Sequence, residues 1–230
     1  MRCAVFDLDD TLYDAREAYP ASMSAAAALA HERYGIPEDE FLEAAQSEYH
    51  WQCSLHPDSP SNHSRAPRFQ RILEARGKPP CGAFALTRRY WEAYLDAMRP
   101  RPEAAPLLQA LRAAGLRVGV GTNMLCAIQL AKLERLGLDE LFDFVATSDE
   151  AAAEKPAPEF FALVVEKARC APCDILFCGD NLEWDARGAA RAGMRGVWLR
   201  TSPDLPAATD VETIDSLAAI EALVTADKNG

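Results

Sequence analysis

Five short apolar runs punctuate the chain: Cys3–Phe6, Arg117–Val120, Phe144–Ala146, Ile175–Cys178 and Val197–Leu199. They are rich in Val, Ile, Leu and Phe and mostly lack alternation with polar residues. That is the pattern of strands buried on both faces, hence of a parallel sheet covered by helices. Between the runs, apolar positions recur at helical spacing. Residues 103–114 begin after Arg101-Pro102 and stop at Gly115. Residues 125–136 carry Leu125, Ile128, Leu130, Leu133 and Leu136 as an apolar face and stop at Gly137. Residues 158–168 and 184–192 read the same way, and 216–224 follows Asp215 as a candidate cap. Strands alternating with helices of this length predict βαβ units in a doubly wound sheet, an α/β fold.

Residues 14–99 break the alternation. About 85 residues between the first and second strands are too many for one crossover. Helical patterns cover 15–34, 37–50, 65–76 and 82–98, and the composition of 53–64 reads as a loop. The expectation is a core built from 1–13 and 100–230 with an all-α module, 14–99, inserted into it.

Composition then removes several classes of function. A chain of 230 residues, 49% apolar and 26% charged, has the balance of a soluble globular protein with a substantial core. Its formal net charge of −11 leaves no basic excess to displace counterions from nucleic acid or to bind an anionic membrane. An anionic substrate would therefore need a local cation, either a metal or a single lysine. No run approaches the roughly 18 apolar residues of a membrane span. The segment Met1–Asp7 meets acid too early for a signal peptide. Seven scattered cysteines, an odd number, fit reduced thiols in a cytoplasm. The tail 225–230 is expected to fray.

The chemistry begins where the first run ends, at Asp7-Leu8-Asp9-Asp10-Thr11. In extended chain, positions i and i+2 face the same way, so Asp7 and Asp9 can reach one small volume. Two carboxylates so close repel unless a cation neutralises them, and Mg²⁺ is the natural hard partner for oxygen ligands. One carboxylate can then be a nucleophile and the other a proton carrier. Asp10 is expected to point away and bond locally.

Three more motifs follow. Thr122-Asn123 sits past the second run and before a helix, a place that suits an anion. Lys155 lies in Glu154-Lys155-Pro156-Ala157-Pro158 and offers a compact charge to a phosphoryl oxygen. Gly179-Asp180-Asn181-Leu182-Glu183-Trp184-Asp185 follows the most apolar run, bringing Asp180 and, one layer further out, Asp185. Each alone has an ordinary structural explanation as a helix cap, a surface lysine or an acidic helix start. All four, however, fall at the C-terminal ends of predicted parallel strands, where open α/β sheets bind ligands.

The order Asp7-x-Asp9-x-Thr11, Thr122-Asn123, Lys155-Pro156, Gly179-Asp180-x₄-Asp185 resembles the haloacid dehalogenase-like (HAD) hydrolase superfamily over residues 5 to about 200. The resemblance implies a Rossmann-like core with an inserted all-α helical cap. It implies Asp7 as the nucleophile that forms an aspartyl-phosphate, and Asp9 as the acid and then the base. It implies Mg²⁺ bound by Asp7, the backbone carbonyl of Asp9 and Asp180, with Asp185 steadying the site. Thr122, Lys155 and the Asn123 backbone N–H would hold the phosphoryl group. Dehalogenases resembling this family lack the second Asp. The presence of Asp9 therefore points to Mg²⁺-dependent hydrolysis of a small soluble phosphate monoester. The partner is then a small phosphorylated metabolite, with no nucleic acid or membrane, and the chain acts as a monomer or homodimer. The alternatives are a phosphomutase, a 2-haloacid dehalogenase and a catalytically silent binding protein.

Weaker signals remain. Cys170-Ala171-Pro172-Cys173 has redox spacing in the wrong structural place, and Cys53, His56 and His63 match no strong zinc pattern. Trp51, His63, Arg65, Arg68 and Arg71 are candidates for substrate contact, with a solvated basic stripe the expected reading of the three arginines.

Overall fold

The computed structural model describes residues 1–226 apart from 17, 56, 58, 203, 206 and 207. The chain divides into two compact units, Met1–Asp14 with Arg99–Gly230, and Ala15–Met98. Among the described residues no helix is long and apolar enough to cross a membrane.

The first unit is built on β1 (Cys3–Phe6), β2 (Arg117–Thr122), β3 (Phe144–Thr147), β4 (Ile175–Gly179), β5 (Arg195–Leu199) and β6 (Glu212–Ile214). They form one sheet in the order β3-β2-β1-β4-β5-β6, parallel throughout. β1 is central and fully buried, with Phe6 opposite Val120 on one side and Cys178 on the other. The five apolar runs all became strands. β6 escaped the sequence reading because it is a three-residue edge strand without an apolar run. Its Glu212 is held instead by an ion pair to Arg195, Nη2 to Oε2 2.8 Å.

The helical unit comprises α1 (Ala18–Tyr34), α2 (Glu38–Leu55), α3 (Ala66–Glu74) and α4 (Gly82–Ala97). Its core stacks Phe41 on Phe69, ring centres 5.3 Å apart, and Tyr90 edge-on to Trp91 at 4.9 Å. Among its described residues, the stretch read as a loop, 53–64, carries two pieces of regular structure. α2 continues to Leu55, and Pro60–His63 make a 3₁₀ turn whose start is capped by Ser59. His56 lies outside the described residues.

The arginine stripe is also not what the sequence suggested. Arg65 and Arg68 are buried, each guanidinium lying on aromatic rings and bonded to carbonyl, amide or hydroxyl oxygens. Burial beside the positive Arg65 lowers the pKa of Arg68 to about 10. Arg71 alone stays half-exposed, over Trp51 and 2.5 Å from Glu48.

The helices of the sheet unit are α5 (Ala104–Ala113), α6 (Cys126–Leu136), α7 (Ser148–Ala151), α8 (Pro158–Ala168), α9 (Arg187–Arg191) and α10 (Ala219–Ala226). Cys3, Val5, Ile175 and Phe177 share one buried cluster with Phe160, Phe161 and Val164 of α8 and Ala189 of α9. The period of two sends Ala4 and Phe6 to the opposite face.

The helix expected over 184–192 is split. Leu182–Ala186 is a π turn, and only then does α9 begin. The cause is local. Asn181 Oδ1 accepts from both Glu183 N and Trp184 N, while Asp185 turns inward and accepts from Asn181 N. Such wide turns gather at functional positions.

The π turn presses on β5 at Gly196, where an added Cβ would lie 2.0 Å from the carbonyl oxygen of Ala186. That neighbour is backbone and cannot step aside. Gly196→Ala is expected to lower the unfolding free energy by about 1–3 kcal/mol or more, read as a lower urea midpoint. An unchanged midpoint would show that the turn yields.

Candidate active site

The sheet ends in a crowded polar edge. Asp7 follows β1 directly and its N–H donates to Cys178 O at 2.8 Å, so the strand ladder itself fixes the position of this carboxylate. Beyond it the chain turns. Asp10 is left-handed (φ 59°), a conformation that short acidic side chains tolerate. Arg101 pins the turn from behind, Nε to Thr11 O at 2.9 Å and Nη2 to Asp10 O at 2.8 Å. A bridge between Tyr13 and Pro100 and a bond from Arg101 N to Leu12 O at 2.9 Å close the same place.

Because the strand stops at Phe6, the period of two does not carry through to Asp9. The carboxylates of Asp7 and Asp9 take different partners, yet they remain close enough for Asp9 to raise the Asp7 pKa.

Asp7 faces Lys155, whose Nζ lies 2.6 Å from Asp7 Oδ1, 2.6 Å from Asp185 Oδ1 and 3.1 Å from Gly121 O. All three side chains are buried. Burial works against the lysine's charge, but Asp185 and Asp7 outweigh it and hold Lys155 above its ordinary pKa. Burial pushes Asp7 well above the usual carboxylate range. Lys155 opposes this, while Asp185, Asp180 and Asp9 reinforce it.

Asp180 completes the group. Its N–H donates to Thr11 Oγ1 at 3.0 Å, and Thr11 Oγ1 donates back to Asp180 Oδ1 at 3.4 Å. Trp198 Nε1 donates to Asp180 O at 2.8 Å. Burial, Asp185 and Asp10 raise the Asp180 pKa to about 7.

Asp9 is held by α6. Lys132 Nζ is 2.6 Å from Asp9 Oδ1, the Tyr13 hydroxyl bonds the same oxygen, and Gln129 Nε2 donates to Oδ2 at 3.0 Å. Burial alone would raise the Asp9 pKa, but the Lys132 charge and these hydrogen bonds bring it below the ordinary value. Gln129 also donates to Thr122 Oγ1 at 2.7 Å. Asn123 acts through its side chain: Oδ1 accepts from Lys155 N at 2.8 Å and Nδ2 donates to Lys155 O at 3.4 Å. The structure thus brings Asp7, Asp180, Lys155 and Asn123 into one network, and joins Asp9 to Thr122 through Gln129.

The sequence reading missed Gln129, Lys132 and Tyr13, and did not anticipate that Asp185 bonds Lys155 directly. It placed Leu130 on the apolar face of the helical stretch 125–136. In the structure Leu130 is 49% exposed, while Gln129 and Lys132 are fully buried beside Leu133. Two polar residues three apart, on the stripe that carries Leu133 and Leu136, were the available signal.

Among the described residues, the carboxylates of Asp7, Asp180 and Asp185 offer ligand atoms within 4.8 Å of one another. One buried lysine against three acids leaves negative charge that protonation or a further cation has to balance. An all-oxygen donor set of this kind fits a hard divalent ion. Cys170 and Cys173 are free thiols, as are the other five cysteines.

A sequence profile of the haloacid dehalogenase-like hydrolases matches residues 1–193. A ribulose-1,5-bisphosphate 5-phosphatase from Halopiger xanaduensis is 36% identical over 87% of this chain and 85% of its own length. A glyceraldehyde 3-phosphate phosphatase from Methanopyrus kandleri is 32% identical over 87% and 84%. The crystal structure of a HAD phosphatase from Thermococcus onnurineus superposes with a TM-score of 0.75 at 25% identity, covering 97% of this chain and 98% of that one. A 2-haloacid dehalogenase from Pseudomonas syringae shares the fold, with a TM-score of 0.80 at 24% identity over 98% and 99%. Profile, relatives and fold agree with the sheet-edge geometry: the chain belongs to the haloacid dehalogenase-like hydrolases, and within them to the phosphatases.

Proposed function

We propose that this chain hydrolyses small soluble phosphate monoesters through a phosphoryl group carried on Asp7. The observation that carries the reading is the buried Asp7–Lys155 pair at the C-terminal end of β1, beside Asp180. Asp7 Oδ attacks phosphorus in line, with Lys155 and the Thr122 hydroxyl donating to the phosphoryl oxygens. As the ester P–O bond breaks, the leaving oxygen takes a proton from Asp9. Asp9 then takes a proton from the water that attacks the aspartyl-phosphate, which releases phosphate and returns Asp7 to its starting form.

Asp7, Asp180 and the Asp9 carbonyl would hold Mg²⁺, with Asp185 steadying them, and the ion would supply charge neutralisation at the transferring group. The retention of Asp9 favours phosphate esters over haloacids, because an alkoxide leaving group needs a proton. Short sugar phosphates are the favoured substrate class, in keeping with the sugar phosphates named for the two curated relatives. The helical unit Ala15–Met98 is the proposed cap and the source of substrate choice.

Three measurements test this. Asp7→Asn is expected to lower turnover of phosphate esters by at least about 10³-fold with an unchanged circular dichroism spectrum, since an amide oxygen is a poor nucleophile. A variant that keeps most of its activity removes Asp7 from the role. Asp180→Ala is expected to raise the Mg²⁺ concentration needed for half-maximal activity by about 10-fold or more.

The third is the pH dependence of stability. The Asp180 pKa is raised from 3.8 to about 7 in the folded, metal-free protein. Between those values the folded chain binds a proton that the unfolded chain has released. Metal-free stability therefore falls as pH rises through that window. Mg²⁺ binding to the ionised group offsets the loss, so the rise in Tm on adding Mg²⁺ is expected to be larger at pH 8 than at pH 5. An equal or smaller rise at pH 8 contradicts the assignment.

A further inference from the structure

We propose that Lys132 is a positioning residue for proton transfer to the leaving group: from the buried face of α6 it fixes the carboxylate of Asp9. This rests on the phosphatase reading of Asp9 given above.

Three donors converge on one carboxylate. Lys132 Nζ at 2.6 Å and the Tyr13 hydroxyl take Oδ1, and Gln129 Nε2 at 3.0 Å takes Oδ2. With both oxygens tied, the side chain of Asp9 has little rotational freedom. The same Gln129 amide donates its second hydrogen to Thr122 Oγ1 at 2.7 Å. The Thr122 hydroxyl hydrogen is then directed elsewhere, available to a phosphoryl oxygen. One turn of α6 therefore sets the orientation of both the proton carrier and a phosphoryl-oxygen donor.

Packing gives an independent reason. Lys132 is fully buried on the helix face that also buries Leu133 and Leu136. A buried lysine–carboxylate pair is a poor way to stabilise such a face, since apolar residues of similar volume do as well or better. The lysine is explained by what it does to Asp9. During transfer the ester P–O bond breaks and its electron pair stays on the leaving oxygen. The Asp9 O–H bond breaks as the O–H bond of the product alcohol forms. The carboxylate left behind is the species bonded to Lys132 in this structure.

The test compares two esters at saturating Mg²⁺. p-Nitrophenyl phosphate has a leaving group that departs without a proton, and glycerol 3-phosphate has one that needs it. The quantity is kcat/KM, which reports the steps through leaving-group departure. Lys132→Met is expected to lower kcat/KM for glycerol 3-phosphate by about 10-fold or more and for the nitrophenyl ester by less than about 3-fold. Lys132→Arg is expected to restore much of the difference.

Tyr13→Phe removes one donor without leaving a buried charge unpaired, and is expected to show the same selectivity on a smaller scale. It decides the matter if Lys132→Met does not fold. Equal losses on both esters, or no loss on either, overturn the role of Lys132 and leave the phosphatase reading standing. A wild-type protein that hydrolyses neither ester overturns both.

Discussion

The bridge of Lys155 between Asp7 and Asp185 is the interaction on which the site depends. Three acids from two strand ends converge there, and without the lysine they would repel one another out of a buried volume. The lysine in turn needs them, because a lone ammonium with its side chain almost wholly enclosed would lose its proton or leave the interior. Neighbouring groups hold it on line: the Asn123 side chain clasps its backbone on both sides, and Gly121 O takes a third bond from its ammonium. The balance is incomplete by design of the charges, since one cation faces three carboxylates. An excess of acid of that kind is what a hard divalent ion would balance.

The sheet that presents these residues was legible from the chain alone, because buried parallel strands announce themselves as unbroken apolar runs. β6 was not, since an edge strand needs no such run. The order of acidic, hydroxyl and lysine motifs was equally legible, because each follows a strand end. What the sequence could not show was where each side chain goes after its strand ends. Asp9 lies past the end of β1, and its carboxylate is taken by Lys132, Tyr13 and Gln129. Asp185 comes inward only because Asn181 caps the next turn and forces a π geometry. Gly179 makes room for it, since a Cβ there would lie 2.2 Å from Asp185 Oδ2.

The helical faces show the same limit in another form. Hydrophobic periodicity assumes that charged residues face water, and in both units it misassigned long cations. Lys132 is buried because a carboxylate awaits it. Arg65 and Arg68 are buried because their flat guanidinium groups lie on the rings of Tyr90, Trp91 and Tyr49 and find carbonyl oxygens at their edges. A sequence pattern registers the charge of such residues and is blind to the partners that make burial favourable.

The closure formed by Tyr13, Pro100 and Arg101 has a consequence for how this protein can change. The chain leaves the sheet unit and rejoins it at one stapled point, so the loop bearing Asp9, Asp10 and Thr11 is anchored from within its own unit. Whatever lies between residues 15 and 98 is spliced into a gap that is already shut. Such a seam frees the geometry of the loop bearing Asp9, Asp10 and Thr11 from the length of chain that runs between its two ends.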